Sequence, residues 1–187
     1  MINQQRGFTL VELLYTLAVA ALIMGVGVPT FTQTMRNSSM TATTNSIVTA
    51  MHSARSEAIK RRGRVTVCPA ELVGAEPACQ ADGTSLLVFA NVADDASFDS
   101  ANGDLIIQFQ DWIRGDVTTT GADLPGYVTY TAAGFTRAIG GGQISGNLVF
   151  CDERGTPSAR VLNLSATGRP QIRRHADMTG PVPACSP

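Results

Sequence analysis

The chain has 187 residues, with 14 Lys and Arg against 15 Asp and Glu and a formal net charge of −1. So small a net charge creates no global field that would attract a polyanion, so any contact with nucleic acid has to be local. Once a membrane segment is subtracted, the remaining length corresponds to one domain that can bury its own core.

The N-terminal segment from residue 8 to residue 30 is apolar, small or hydroxylic apart from one acid, Glu12. As a helix it spans roughly 30 Å, enough to cross the hydrocarbon of a bilayer. No small-x-small cleavage site follows it, which argues against an ordinary signal peptide. A carboxylate inside such a segment costs several kcal/mol unless it is paired, so Glu12 is a functional residue that needs a partner.

The segment Arg6-Gly7-Phe8-Thr9-Leu10-Val11-Glu12-Leu13 resembles the class III signal of type IV pilins and type II secretion pseudopilins. The resemblance implies that a prepilin peptidase cleaves between Gly7 and Phe8 on the cytoplasmic side and that Phe8 becomes N-methylated. It also implies that Glu12 pairs with the terminal amine of a neighbouring subunit, and that Pro29 kinks the helix. The alternative is an uncut signal anchor.

The expected fold class is α+β: a long N-terminal helix, part transmembrane and part amphipathic, packed on an antiparallel β-sheet, as in the type IV pilin fold. We expect a leader at residues 1–7, one helix over residues 8–62 with residues 8–30 in the membrane, and a globular β-rich domain over residues 63–187. An apolar stripe at Ile47, Met51, Ala54 and Ala58 should face the sheet. The opposite face carries Thr43, Asn45, His52, Arg55 and Lys60, and Gly63 marks the helix end.

The pattern after the helix predicts strands at residues 64–68, 85–89, 105–109, 127–131, 147–151, 160–164 and 170–174. Pro69 should end the first strand, followed by a polar loop over residues 71–83. A glycine-rich hairpin is expected at residues 134–146. Residues 178–187 should be irregular.

Four cysteines allow three pairings in a disulfide-permissive compartment. Cys68–Cys79, which closes a short loop, and Cys151–Cys185, which ties the tail to a strand, are favoured. No pair has the spacing of a zinc site, so neither a metal nor another cofactor is expected. The loop with Asp94, Asp95, Asp99, Asn102 and Asp104 offers oxygens to calcium, but it does not match the EF-hand spacing, and a solvated acidic loop is the better interpretation.

No hydrolase, phosphate-loop or paired-histidine motif is present, so an enzyme is not expected. Three further segments resemble the GspH/FimT/FimU group of minor pilins and pseudopilins. They are residues 52–58 of the helix, the acidic loop before residues 103–106, and residues 147–151 followed by residues 162–169.

In FimT-like pilins of naturally competent bacteria, a Gly-Arg-x-Arg motif near the C-terminus binds DNA. Gly168 and Arg169 match it, but Gln171 stands at the second arginine position, with Arg173 and Arg174 following. On a strand, Arg169, Gln171 and Arg173 share one face and Arg174 the other. The alternative is that Arg169 caps a turn and pairs with the acidic loop. A second basic cluster, Lys60, Arg61, Arg62 and Arg64, either extends this surface or is a solvated helix end.

The resemblance therefore implies a minor pilin that primes assembly or lies at the tip of a type IV pilus. The alternatives are the H-type minor pseudopilin of a type II secretion system, a major pilin, and a stand-alone membrane-anchored binding protein in which the Gly7–Phe8 bond stays uncut. Implied partners are other major and minor pilins, the inner-membrane assembly platform, the prepilin peptidase and the membrane, with double-stranded DNA as a candidate. The implied location is the inner membrane with a periplasmic domain, and then the filament.

Overall fold

In the computed structural model, residues 7–120 and 123–185 are described. The chain divides into two compact units, with the boundary between Ser38 and Ser39. The leader expected at residues 1–7 lies outside the described residues except for Gly7. One helix, α1 (Leu10–Arg61), begins in the first unit and ends in the second.

The first unit is the N-terminal part of α1, whose large apolar side chains are exposed: Phe8, Leu10, Leu13, Leu14, Leu17, Leu22 and Ile23 among others. Within the described part of the chain, α1 is the one helix long and apolar enough to cross a membrane. Its helical hydrogen bonding continues past Pro29, and the kink at this residue remains a prediction.

The second unit packs the rest of α1 on β-sheets. The predicted stripe is confirmed, because Ile47, Met51, Ala54 and Ala58 are all buried to 4% exposure or less. Thr43, which was expected on the solvated face, is buried instead. Its Oγ1 accepts a hydrogen bond from the Arg114 N–H at 3.0 Å. This bond offsets the free-energy cost of burying the hydroxyl.

The strands of the second unit form two antiparallel sheets. The strands of the first sheet are β1 (Val65–Val73), β2 (Glu76–Cys79), β3 (Ser85–Ala90), β4 (Leu105–Asp111), β6 (Val128–Tyr130) and β7 (Thr136–Arg137). Those of the second sheet are β5 (Thr118–Thr120), β8 (Gly146–Cys151), β9 (Arg160–Leu164) and β10 (Pro170–Arg174). The first sheet has the order β4-β3-β1-β6-β7, with β2 paired to β1, and the second has the order β10-β9-β8-β5.

The predicted end of β1 at Pro69 is wrong. The strand continues to Val73 and turns back at Gly74, whose φ is +70°, into β2 within the expected polar loop. Pro69 has no N–H to donate, but its carbonyl accepts from Gln80 N at 2.9 Å, so the ladder loses little.

The predicted hairpin around residues 134–146 is also wrong in its pairing. Strand β7 (Thr136–Arg137) pairs with the strand that precedes it in the chain, β6, so the hairpin turn lies at residues 131–135. The three glycines Gly140, Gly141 and Gly142 form a separate turn with positive φ. Strand β5 was missed because three threonines give no apolar alternation to detect.

Both favoured disulfides, Cys68–Cys79 and Cys151–Cys185, are present. The second ties the C-terminal tail over the outer face of the second sheet, where Val149 and Val161 pack against Met178 and Val182. The inner face shares one hydrophobic core with α1, and in that core the rings of Trp112 and Phe150 meet edge to face at 6.0 Å. The tail and the helix thus cover opposite faces of the second sheet.

Candidate functional site

The N-terminal end of α1 has the geometry of a capping box. Thr9 precedes the helix, and its Oγ1 accepts the N–H of Glu12 at 3.2 Å. Glu12 stands three residues after this cap, where a Glu or Gln can reach back to the N-cap backbone. Its charge also complements the positive end of the helix dipole. The observed half of this box is the bond from the Glu12 N–H to Thr9, and the Glu12 side chain stands where it can supply the other half.

Gly7 and Phe8, the expected cleavage site, lie before the helix begins. The Phe8 side chain is 83% exposed, and a Cβ at Gly7 would meet no atom within 4 Å. The expected cleavage site is therefore exposed and lies outside regular secondary structure.

The C-terminal arginines lie on a hairpin whose strand bounds match the prediction at β9 and β10. β10 ends the second sheet, and Ile172 faces the core while Gln171 and Arg173 share the other face. The Arg173 Nη2 donates to Gln171 Oε1 at 3.1 Å. Gln171 therefore orients an arginine at the position where the resemblance would place one.

Arg169 and the pair Arg173–Arg174 lie at opposite ends of β10. Four or five residues separate them, roughly 13–17 Å along an extended strand. The Arg169 backbone closes the turn, since its carbonyl accepts from Ser165 N at 3.2 Å and its N–H donates to Ser165 Oγ at 3.2 Å. The Arg169 side chain is exposed, and no ion pair joins it to the acidic loop within residues 7–120 and 123–185.

Gly168 serves the fold directly. Its φ is +79°, and a Cβ there would lie 2.8 Å from the Gly134 carbonyl oxygen and 2.9 Å from the Tyr130 ring. The Tyr130 hydroxyl donates to the Gly168 carbonyl at 3.2 Å, and Thr136 Oγ1 donates to that of Ala166 at 3.0 Å. Burial raises the pKa of Tyr130, so its hydroxyl stays protonated and able to donate. These contacts dock the hairpin turn on the first sheet.

Sequence inspection missed Arg160. The register places it directly opposite Arg174, so the two cations share one face at the far end of the hairpin. Like charges in this arrangement repel. The pairing of residues 160–164 with 170–174 was expected, and counting its register outward from the turn would have found this contact.

The acidic loop is a structural element, and the expectation of a solvated loop is wrong for Asp104. That side chain is buried, and its carboxylate accepts the N–H groups of Val92 at 2.8 Å and Asp99 at 3.2 Å. The Asp99 carboxylate caps a short helical turn by accepting from Ala101 N at 2.8 Å. Among the described residues, no group of three His, Cys, Asp or Glu side chains could hold a metal ion.

The basic cluster at the end of α1 divides in two. Lys60 and Arg61 pair with Glu57 at 3.1 and 2.9 Å on the helix surface. Hydrogen bonds from Arg61 and then Lys60 lower the pKa of Glu57. Arg64 instead turns to the acidic loop and lies 3.4 Å from Asp94, which Arg137 approaches to 3.6 Å.

Two family models match the chain. The model described as "Type II transport protein GspH" covers residues 43–168, and the "Prokaryotic N-terminal methylation motif" covers residues 2–28. No curated protein matches.

Two crystal structures of the type IV minor pilin FimU from Pseudomonas aeruginosa resemble the fold. The P21 form matches with a TM-score of 0.56 at 18% identity over 76% of this chain and 93% of that one. The P65 form matches with a TM-score of 0.53 at 18% identity over 73% and 94%. The GspH model spans most of the globular unit, and the methylation motif covers the apolar start of α1. The chain belongs to the GspH family within the type IV pilin superfamily.

Proposed function

We propose that this protein is a minor subunit of a type IV pilus, cut between Gly7 and Phe8, N-methylated on Phe8 and anchored in the inner membrane by α1 until it enters the filament. The observation that carries the proposal is Glu12, the single acid of the exposed apolar segment over residues 8–30, four residues from the new terminus. A carboxylate and an amine buried together offset each other's desolvation, whereas either alone does not. The globular unit then faces the periplasm and later the outside, where a subunit at the tip would prime assembly.

Two substitutions separate pairing from capping at Glu12. Glu12→Gln keeps a side chain that completes the capping box but removes the charge, and Glu12→Ala removes both. We expect both variants to be stable in the membrane and absent from sheared filaments, measured by immunoblot of the filament fraction. Incorporation of Glu12→Gln at the wild-type level would show that only the cap is needed and would contradict the pairing.

We further propose that Arg169, Arg173 and Arg174, with Gln171 orienting Arg173 and Gly168 shaping the turn, contact the phosphates of double-stranded DNA. Arg160 adds a fourth cation beside Arg174, on the same face as that residue. Phosphate contacts by arginine give binding that is independent of sequence and sensitive to salt. Such binding suits uptake of arbitrary DNA in transformation.

The test measures anisotropy of a labelled duplex of arbitrary sequence against the full chain in nonionic detergent. The variant Arg173→Ala/Arg174→Ala should bind more weakly and reduce the slope of log K against log salt by about 0.9 per lost phosphate contact. Arg114→Gln, an exposed arginine in the β4–β5 connection, is the matched control and should bind as wild type does. Unchanged binding by the double variant would overturn the assignment of these arginines.

The matching family, type II transport protein GspH, favours a second candidate: a minor pseudopilin of a type II secretion system. Deletion of the gene distinguishes the two. Loss of surface pili with intact protein secretion supports the pilus, and the reverse result supports the secretion system.

A further inference from the structure

A cleft of about 610 Å³ opens where α1 ends, and four arginines from three segments line it: Arg61, Arg62, Arg64 and Arg137. Arg61 and Arg62 end the helix, Arg64 precedes β1, and Arg137 lies on β7. Asn91 and Thr131 contribute polar groups to the same walls.

The four arginines of this cleft outnumber the two carboxylates paired with them among the described residues: Arg61 pairs with Glu57 at 2.9 Å, and Arg64 and Arg137 share Asp94. Asp94 is the carboxylate that Arg64 and Arg137 share, at 3.4 and 3.6 Å, distances too long for strong bidentate pairing. The Nε atoms of Arg64 and Arg137 are buried and have no hydrogen-bond acceptor among the described residues. Asp94 Oδ1 likewise has no hydrogen-bond partner among them and lies 3.4 Å from Arg64 Nε, so the ion pair is weak and the cleft keeps more positive than negative charge.

The backbone also favours a role for Arg62. Its φ is +52°, a left-handed conformation that usually selects glycine at this position of a helix end. The Arg62 N–H donates to the Ile59 carbonyl at 3.3 Å and the Gly63 N–H to that of Ala58 at 3.1 Å, the pattern of a Schellman motif. An arginine stands where a glycine would be less strained, and its side chain lines the cleft.

The β6–β7 turn lies between the helix and the hairpin that carries Arg169. Gly134, in this turn, lies against the Arg55 guanidinium on one side, and its carbonyl lies against Gly168 on the other. One turn therefore contacts both Arg55 of the helix and the residue that precedes Arg169. A ligand with a single carboxylate needs only one arginine for a bidentate pair. Several cations on different elements instead suit a ligand that carries many phosphates.

We propose that the cleft formed by Arg61, Arg62, Arg64 and Arg137 binds the phosphodiester backbone of a nucleic acid. The inference rests on the proposed DNA contact and adds a second, separate phosphate site to it. The path of the backbone runs from the helix end past Arg55 to Arg169. Because the carbonyls of a helix C-terminus repel anions, binding there depends on the arginines.

The test uses the same full chain and labelled duplex between about 50 and about 200 mM salt. The variant Arg62→Gly/Arg137→Gln removes two cleft charges, keeps Arg64 on Asp94, and places glycine at the left-handed position, so it should fold. We expect the salt slope to fall by about 2, with weaker binding at every salt concentration. Arg114→Gln is again the control, because Arg114 contacts Thr43, about 27 Å along α1 from Arg61.

The outcomes separate the two proposals. A normal slope in the cleft variant, with a reduced slope in Arg173→Ala/Arg174→Ala, overturns the cleft and retains the C-terminal arginines. The opposite pattern supports the cleft and overturns the assignment of the C-terminal arginines as DNA contacts. Polyglutamate that binds wild type as tightly as the duplex, and loses binding in the cleft variant, overturns the nucleic-acid assignment in favour of an acidic protein partner. A wild-type chain that binds no duplex overturns both.

Discussion

At the residue scale, Arg62 and Gly168 show how one backbone conformation leads to opposite choices of side chain. Both have positive φ. Gly168 is required because a Cβ would strike Gly134 and Tyr130. Arg62 carries a side chain despite the strain, which indicates that its guanidinium has a use beyond ending the helix.

Replacing Arg62 by glycine should stabilise the protein. Glycine relieves the left-handed strain, which costs about 1–2 kcal/mol for a residue with a Cβ, and part of that gain is lost to the greater freedom of the unfolded chain. We expect a higher Tm for Arg62→Gly in thermal unfolding. Gly63→Ala, one residue on and without positive φ, is the control; an equal rise there would refute the explanation.

Replacing Gly168 by alanine should destabilise the protein by about 1–3 kcal/mol, through strain and the contact with Gly134. Thermal unfolding measures the loss. Thr167→Ala, on the exposed side of the same turn, should change Tm little. Because Gly168→Ala disturbs the hairpin itself, it cannot serve as a test of DNA contact.

At the element scale, the β9–β10 hairpin is held at its turn by Tyr130 and at its other end by the C-terminal tail. Removing the Tyr130 hydroxyl in Tyr130→Phe leaves the Gly168 carbonyl without its donor and should cost about 1 kcal/mol. Tyr127→Phe is a control that also removes a hydroxyl, one that accepts from Ile139 N at 3.2 Å, away from the hairpin. Hydrogen exchange of the amides at residues 165–169 should quicken in the Tyr130 variant alone, and equal exchange in both variants would contradict this docking.

The two disulfides should contribute unequally. Cys151–Cys185 closes a separation of 34 residues and Cys68–Cys79 one of 11, so loop entropy predicts about 1 kcal/mol more from the longer bridge. We expect Cys151→Ser/Cys185→Ser to lower Tm further than Cys68→Ser/Cys79→Ser. It should also expose the tail to proteolysis, because Val182 then loses its covalent tie to the sheet. A larger loss from the shorter bridge would contradict the entropic account.

Sequence patterns recovered the elements that follow simple periodicity. The apolar stripe of α1 and the β9–β10 hairpin came directly from side-chain alternation, and the export signal justified pairing the cysteines. The patterns failed where a long-range contact decides the structure. Pro69 continues a strand because a distant N–H uses its carbonyl, and Thr43 is buried because a connection between strands donates to it.

The same limit applies to the candidate sites. Arg169, Arg173 and Arg174 could be named because they adjoin in sequence. Arg137 could not be joined to Arg61, Arg62 and Arg64, since only the pairing of β7 with β6 brings it to the helix end. A basic surface assembled from three segments has no local sequence signature.

At the scale of the whole molecule, the net charge is near zero, but the charged residues are distributed unevenly along the chain. The apolar start of α1 has one acid, Glu12, and the globular unit concentrates arginines at the helix end and on one hairpin. The family and fold are those of pilin subunits, in which a membrane helix is retained after the leader is removed. The account therefore depends first on processing of the N-terminus.

Mass spectrometry of the mature protein, purified from its native membrane, tests that claim most directly. The account predicts a chain that begins at Phe8 and carries one N-methyl group. A chain that retains Met1, or one that begins at an unmethylated Phe8, would contradict assignment of this protein as a processed pilin subunit.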